Sequence, residues 1–237
     1  LSIVFFGTPE FAIPSLKALI ESGEKIALVV TQTDKIKGRV RRPSPPPVKT
    51  FSLEEGLRVL QPATLRDERT THEIALLRPE FIAVVAFGKI LPKSILGIPR
   101  HGCVNVHASL LPSYRGASPV QWAILRGETK TGVTTMLMDE GLDTGPVLLQ
   151  QETEILADDT GESLGKRLAG LGALLLVRTI EGLREGRIQP VPQSGAPSYA
   201  PPLKKTDGLV DWSKGAREVV DFIRGMQPWP GAYCLMG

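Results

Sequence analysis

Phe81-Ile-Ala-Val-Val-Ala86 is apolar at every position, so a strand built from it offers no face to water. Such a strand must be covered on both sides, and the usual solution is a parallel sheet between layers of helix. The flanking sequence fits that demand. Leu1 to Phe6 is a short apolar run ending at Gly7, and Ile26 to Val30 is another. Between them Phe11, Leu16, Leu19 and Ile20 recur at helical spacing, with Gly23 as the stop. Further strands are expected at 57–60, 103–106, 133–138 and 147–151, the last two as antiparallel neighbours. Helices are expected at 48–55, closing at 73–77, around 120–125 and at 161–183. Strands alternating with helices give an α/β fold, a doubly wound and mostly parallel sheet. Ligands of such sheets lie beyond the carboxyl ends of the strands. Gly7-Thr8-Pro9, Phe87-Gly88 and Asn105 to His107 all sit at expected strand ends, on one edge.

Three chemical groups stand out near that edge. Asn105 and His107 are two residues apart on an expected strand, so their side chains share a face. Asp143 follows 36 residues after His107, inside Gly-Leu-Asp-Thr-Gly. An imidazole can shuttle protons, an amide can donate to a developing oxyanion, and a carboxylate can orient the imidazole. Together they are the parts of metal-free acyl transfer. Ser109 lacks the GxSxG elbow of a serine hydrolase. The three His show neither HxxxH nor HExxH, so no metal is expected. His72 and His101 have no comparable neighbours and read as surface residues. The Gly7-Thr-Pro-Glu-Phe11 turn lacks GxGxxG, and Pro9 removes an amide that a dinucleotide loop would use.

Charge separates global from local effects. The net charge is only +3, so nucleic-acid binding requires a patch. Lys35 to Lys49 supplies one: six basic residues, four prolines and no acid. A solvated loop is the plain reading. A basic arm that grips phosphates, stiffened by proline, is the functional one. Cys103 and Cys234 have no partner spacing and read as reduced thiols. No apolar run reaches membrane-spanning length and no signal peptide is visible, so the cytoplasm, or an organellar matrix if the source is eukaryotic, is expected. From Gln189 five prolines interrupt all periodicity. A last helix is expected after Asp211-Trp212-Ser213, with Ser213 as its cap and Val219, Val220, Phe222 and Ile223 as its apolar face. The expected organisation is a catalytic domain at 1–188, an extended linker at 189–210, and at 211–237 a helix that opens a truncated C-terminal domain.

Residues 105–146 carry a resemblance. Asn-Val-His-Ala-Ser-Leu-Leu-Pro-Ser-Tyr-Arg-Gly-Ala-Ser-Pro, then Thr-Gly-Val-Thr, Met-Asp and Gly-Leu-Asp-Thr-Gly-Pro, resemble the 10-formyltetrahydrofolate-dependent formyltransferases. Phe6-Gly-Thr-Pro-Glu-Phe11, Thr31-Gln-Thr-Asp34, the basic Gly38-Arg39 loop with Pro47-Val48-Lys49, Ala86-Phe-Gly-Lys-Ile-Leu-Pro92 and Pro228-Trp-Pro-Gly231 resemble the methionyl-tRNA branch of that family. The resemblance implies a Rossmann-like formyltransferase catalytic domain, a linker, and a C-terminal β-barrel domain expected to be missing here. It implies Asn105, His107 and Asp143 as the catalytic trio. It implies a folate site at Ser109, Leu110, Leu111 and Pro112, with backbone of Phe87, Gly88, Lys89, Ile90 and Leu91 and of Met138, Asp139, Gly141 and Leu142 around the pterin. It implies initiator methionyl-tRNA as partner, met by Lys35, Lys37, Arg39, Arg41, Arg42 and Lys49, with 10-formyltetrahydrofolate as co-substrate and a monomer as the working unit. Sugar-nucleotide N-formyltransferases, the hydrolase domain of formyltetrahydrofolate dehydrogenase and glycinamide ribonucleotide formyltransferase could share the trio. A non-catalytic RNA-binding module would account for the basic loop alone.

Overall fold

The computed structural model describes residues 2–37 and 42–235. Seven strands form the main sheet: β1 (Ile3–Gly7), β2 (Ile26–Val30), β3 (Val59–Leu60), β4 (Phe81–Val85), β5 (Cys103–His107), β6 (Lys130–Leu137) and β7 (Val147–Glu154). Their order across the sheet is β3-β2-β1-β4-β5-β6-β7. The first five are parallel, whereas β6 runs antiparallel to both β5 and β7. The short connection between β6 and β7 permits antiparallel pairing and excludes a crossover. Chain order reverses between β1 and β4, so a crevice opens at their carboxyl ends, the switch point of a doubly wound sheet.

Two apolar layers cover the sheet. Ile3, Phe5, Phe81, Ala83, Val85, Val104 and Val106 point into one layer, which includes side chains of α1 (Ile13–Glu21), α2 (Pro47–Glu54), α5 (Pro119–Leu125) and α6 (Gly161–Arg184). Val4, Phe6, Ile82, Val84 and Cys103 point into the other, under α3 (Glu68–Leu76) and α4 (Lys93–Leu96). β4 is wholly buried, as its all-apolar sequence requires. The long α6 lies close against β5 and β6 because Gly172 carries no side chain. A Cβ there would sit 2.7 Å from Val106 Cγ1.

Several boundaries differ from the sequence expectation. α3 runs Glu68–Leu76, so the 73–77 stretch closes it as expected, while its start is set by Asp67, which caps it by accepting from Thr70 N at 3.0 Å. The polar stretch Glu68 to Glu73 hides that start. α7 (Ala216–Gly225) begins after Gly215, whose N–H donates to Glu218. Ser213 instead donates to Asp211, and Val220 is exposed. Where a plain loop was expected, Lys35–Lys37 pairs antiparallel with Arg42–Ser44. Arg39 and Arg41 lie outside the described residues.

The proline-rich segment is laced to the sheet domain. Val191 bridges Val147, Tyr199–Ala200 pairs parallel with Arg115–Gly116, and Trp122 Nε1 donates to Pro201 O at 2.9 Å. No helix among the described residues is long and apolar enough to cross a membrane.

Candidate active site

The crevice is tied together at its base. β1 ends at Gly7 and β4 at Val85, and the next residues meet: Thr8 Oγ1 donates to Phe87 O at 3.0 Å. Gln32 Nε2, just past β2, donates to the same carbonyl at 2.7 Å. Ala86 and Gly88 take positive φ, which turns the chain sharply out of β4. Phe87 is buried against Phe6 in an edge-on pair, and Leu91 is buried too. Lys89 Nζ donates to Ala63 O at 3.1 Å. Ile90 stands 82% exposed beside the crevice.

On β5 the even residues Val104 and Val106 enter the core, so Asn105 and His107 point to the opposite face. Both are buried. Antiparallel register places Met136 opposite Asn105 and Thr134 opposite His107. Among the described residues no hydrogen bond engages the Asn105 amide, although it lies at the sheet's carboxyl edge.

His107 is hydrogen-bonded at one end of its ring and faces a carboxylate at the other. Nε2 lies 2.9 Å from Tyr114 O. A carbonyl only accepts, so Nε2 carries a proton. Nδ1 faces Asp143 Oδ2 at 3.7 Å, too long for a hydrogen bond. Nδ1 is therefore the ring atom with an unfilled position. The Asp143 carboxylate is held in turn by Gly116 N–H at 2.8 Å. Asp143 itself has φ +52°, the left-handed region. Gly116 is required where it stands. Its φ is +120°, and a Cβ would approach Ala200 O to 2.7 Å.

The segment from Ser109 to Ser113 forms the adjoining wall. Ser109 is fully buried and its hydroxyl donates to Ser113 O at 2.5 Å. Thr134 Oγ1 donates to Ser109 O and accepts from Leu111 N, while Gln150 Nε2 donates to Leu111 O. Leu110 packs over Gly132, where a Cβ would clash at 2.5 Å. The Leu111–Pro112 bond is cis. Across from this wall, Asp139 Oδ1 accepts from Gly141 N and Thr144 Oγ1, and Met138 N donates to Cys103 O. Leu142 is exposed.

The structure thus brings Asn105, His107 and Asp143 to one edge, flanked by segments 86–91, 109–113 and 138–142. The basic residues form a separate region. Lys35 is exposed, whereas Lys49 is paired with Asp34 at 2.8 Å. That pair, with Gln61, holds the Asp34 carboxyl below its usual range, chiefly through the Lys49 hydrogen bond. For Lys37 and Arg42 only the backbone is described. A cavity of about 500 Å³ lies elsewhere, lined by Trp122, Leu203, Asp211, Phe222 and others, and none of the trio borders it. His101 is half-buried and stacks on Phe81, while His72 is exposed.

Sequence reasoning missed the supports of this site. Gln193 is the clearest. It lies in the proline-rich stretch, yet its Nε2 donates to Asp143 O and to Gly145 O, both at 2.8 Å. No local pattern marks it. Ser198 Oγ, which accepts from Tyr114 N at 2.8 Å, was equally hidden.

Comparison with known proteins agrees with this geometry. The formyl transferase family model matches residues 1–180, and the formyl transferase C-terminal domain model matches residues 202–237. A methionyl-tRNA formyltransferase of Thermodesulfovibrio yellowstonii is 55% identical over 234 residues, covering 99% of this chain and 76% of that protein. One from Pelobacter propionicus is 56% identical, covering 99% of this chain and 74% of that protein. Among solved structures, the methionyl-tRNA formyltransferase of Clostridium thermocellum shares the fold at a TM-score of 0.70 and 22% identity, covering 100% of this chain and 88% of that one. An N-formyltransferase from Helicobacter canadensis, solved with folinic acid and dTDP-3-aminofucose, superposes at 0.74 and 20% identity, covering 95% and 80%. Fold, edge geometry and relatives converge, and the chain belongs to the formyl transferase family, with the methionyl-tRNA formyltransferases as its kin.

Proposed function

We propose that this chain transfers a formyl group from 10-formyltetrahydrofolate to the α-amino group of initiator methionyl-tRNA, for translation initiation. The observation that carries the reading is the unengaged Asn105 amide beside a His107 ring fixed by Tyr114 O and facing Asp143. The neutral amine attacks the formyl carbon. A bond forms from the amine nitrogen to that carbon, and the carbonyl oxygen gains negative charge. Asn105 N–H and a protonated Nδ1 of His107 are donors suited to that oxyanion. Collapse breaks the carbon–N10 bond, and one proton passes from the attacking nitrogen to N10. Asp143 stabilises the imidazolium while the charge exists and keeps the ring aligned.

The folate is assigned to the crevice between segments 86–91, 109–113 and 138–142. The wall at 109–113 is pinned to β6 and β7 by Thr134 and Gln150, which suits a pre-formed binding surface. The neighbour with folinic acid belongs to the same fold, which supports a folate-type donor. The basic segment from Lys35 to Lys49 is assigned to tRNA phosphates. The relatives at 55% and 56% identity carry tRNA in their names, which favours this acceptor over an amino-sugar nucleotide.

Incubating the chain with 10-formyltetrahydrofolate and, separately, methionyl-tRNA, glycinamide ribonucleotide or an amino-sugar nucleotide tests the reading. Labelled formyl is expected on methionyl-tRNA alone. Label on a sugar nucleotide instead would replace the acceptor, and no transfer to any acceptor would remove the activity.

A further inference from the structure

We propose that Gln193 is a positioning residue for the transfer step, acting through Asp143. This rests on the catalytic reading above. Its carboxamide is used to capacity. The two N–H bonds go to Asp143 O and Gly145 O, each at 2.8 Å. Oε1 accepts from Arg115 Nη2 at 2.6 Å and from Nε at 3.1 Å. Arg115 directly precedes Gly116, whose N–H holds the Asp143 carboxylate. One side chain therefore clamps both halves of the Asp143 setting: the turn that carries the residue and the strand that receives its carboxylate.

The clamp has something to resist. Asp143 lies at φ +52°, a conformation that a non-glycine residue holds only when its surroundings impose it. Gly145 is pressed so close to Leu137 O that no Cβ would fit, so this end of the turn requires glycine. On the other side Asp139 Oδ1 holds Gly141 N and Thr144 Oγ1, and between these holds one Gln193 N–H grips the Asp143 carbonyl and the other the Gly145 carbonyl. Release of that grip lets the turn relax and moves the carboxylate from its place near His107 Nδ1. A displacement of about 1 Å at a reacting constellation can cost about a hundredfold in rate.

Gln193→Glu separates the two functions of the carboxamide. It keeps an acceptor for Arg115 but puts an acceptor against two carbonyls, so the grip on the Asp143 turn is lost. The expected result is a fall in kcat of about 30-fold or more, with KM for folate and for methionyl-tRNA changed by less than about threefold. The same substitution made on an Asp143→Ala background is expected to lower kcat by less than about twofold further, because groups that act as one unit are non-additive. Gln193→Met, which keeps the shape and loses all four bonds, gives a second cycle with Asp143→Ala should the Glu variant fold poorly. Unchanged kcat in both Gln193 variants overturns the proposal, as does a full additive loss on the Asp143→Ala background. Asp143→Ala with near-normal turnover overturns the catalytic reading itself, a different outcome from failure of Gln193 alone.

Discussion

His107 sits between a carbonyl and a carboxylate, and the two neighbours make different demands on its ring. Tyr114 O fixes the proton on Nε2. Asp143 faces Nδ1 at 3.7 Å without occupying the position. Chemistry at Nδ1 can then proceed without re-orienting the ring. His107→Ala is expected to lower kcat for formyl transfer by about 10²–10⁴-fold, the span typical of a lost proton-transfer group. Its circular-dichroism spectrum and melting behaviour should stay close to those of the parent. Near-normal turnover would contradict the assignment. At this scale the trio was legible because Asn105 and His107 are two apart on a strand and Asp143 lies in a glycine-bounded turn. The partner of Nε2 was not. A backbone carbonyl has no signature in sequence, and neither Tyr114 nor Gly116 signals by type that its main chain will hold a side chain of the trio.

Among the elements, α6 shows best how local chemistry and packing combine. Thr160 and Ser163 cap it reciprocally, and Asp159 accepts from Leu156 N, Ser163 Oγ and Arg167. Burial raises the Asp159 pKa, but the Arg167 bond and the other donors outweigh that and hold it below its usual value. A carboxyl depressed in the folded state stabilises the fold above its unfolded pKa and loses that contribution as pH falls. Asp159→Asn should therefore cost about 1–2 kcal/mol at pH 7, a modest figure since Arg167 is partly exposed and water screens the pair. The difference in melting temperature between the parent and Asp159→Asn should shrink as pH falls below about 4. A gap that stays constant down to pH 3 would show that charge is not its source. The extent of α6 was readable from its periodicity, but the polar start of α3 was left unplaced and that of α7 was misread. Apolar spacing finds the buried face of a helix, and its first turn is often set by caps alone.

Across the whole molecule, the mostly parallel, helix-covered sheet follows from alternation of β and α, and the carboxyl edge as the place for a site follows from that architecture, whereas the strand order is known only from the structure. What sequence could not supply was the fate of the proline-rich segment. It reads as a spacer, yet residues 191–201 bond to β7, to Tyr114 and the Arg115–Gly116 strand, and to Trp122. The basic patch is the other feature on this scale. Lys49 is already paired with Asp34, so the phosphate-binding charge should come from the rest of the segment. Neutralising Arg39, Arg41 and Arg42 together is expected to raise KM for methionyl-tRNA and to flatten its dependence on salt. The expected loss is about one unit of slope per phosphate contact. KM for the folate should not move. An unchanged salt slope would rule the arm out.

The lacing of that segment bears on how the molecule is made. The last strand of the sheet ends at Glu154 and α6 at Arg184, so the ribosome has delivered every layer of the core by then. Domains can begin to fold while the rest of the chain is still in the tunnel. The turn that bears Asp143, however, is fastened by a residue 50 positions downstream, and the 115–116 strand gains its partner only with Tyr199 and Ala200. With Asp143 and Gln193 in the roles proposed for them, a nascent chain that has acquired its sheet still lacks the fastening of that turn, and activity is expected only once residues 193–200 have emerged and closed.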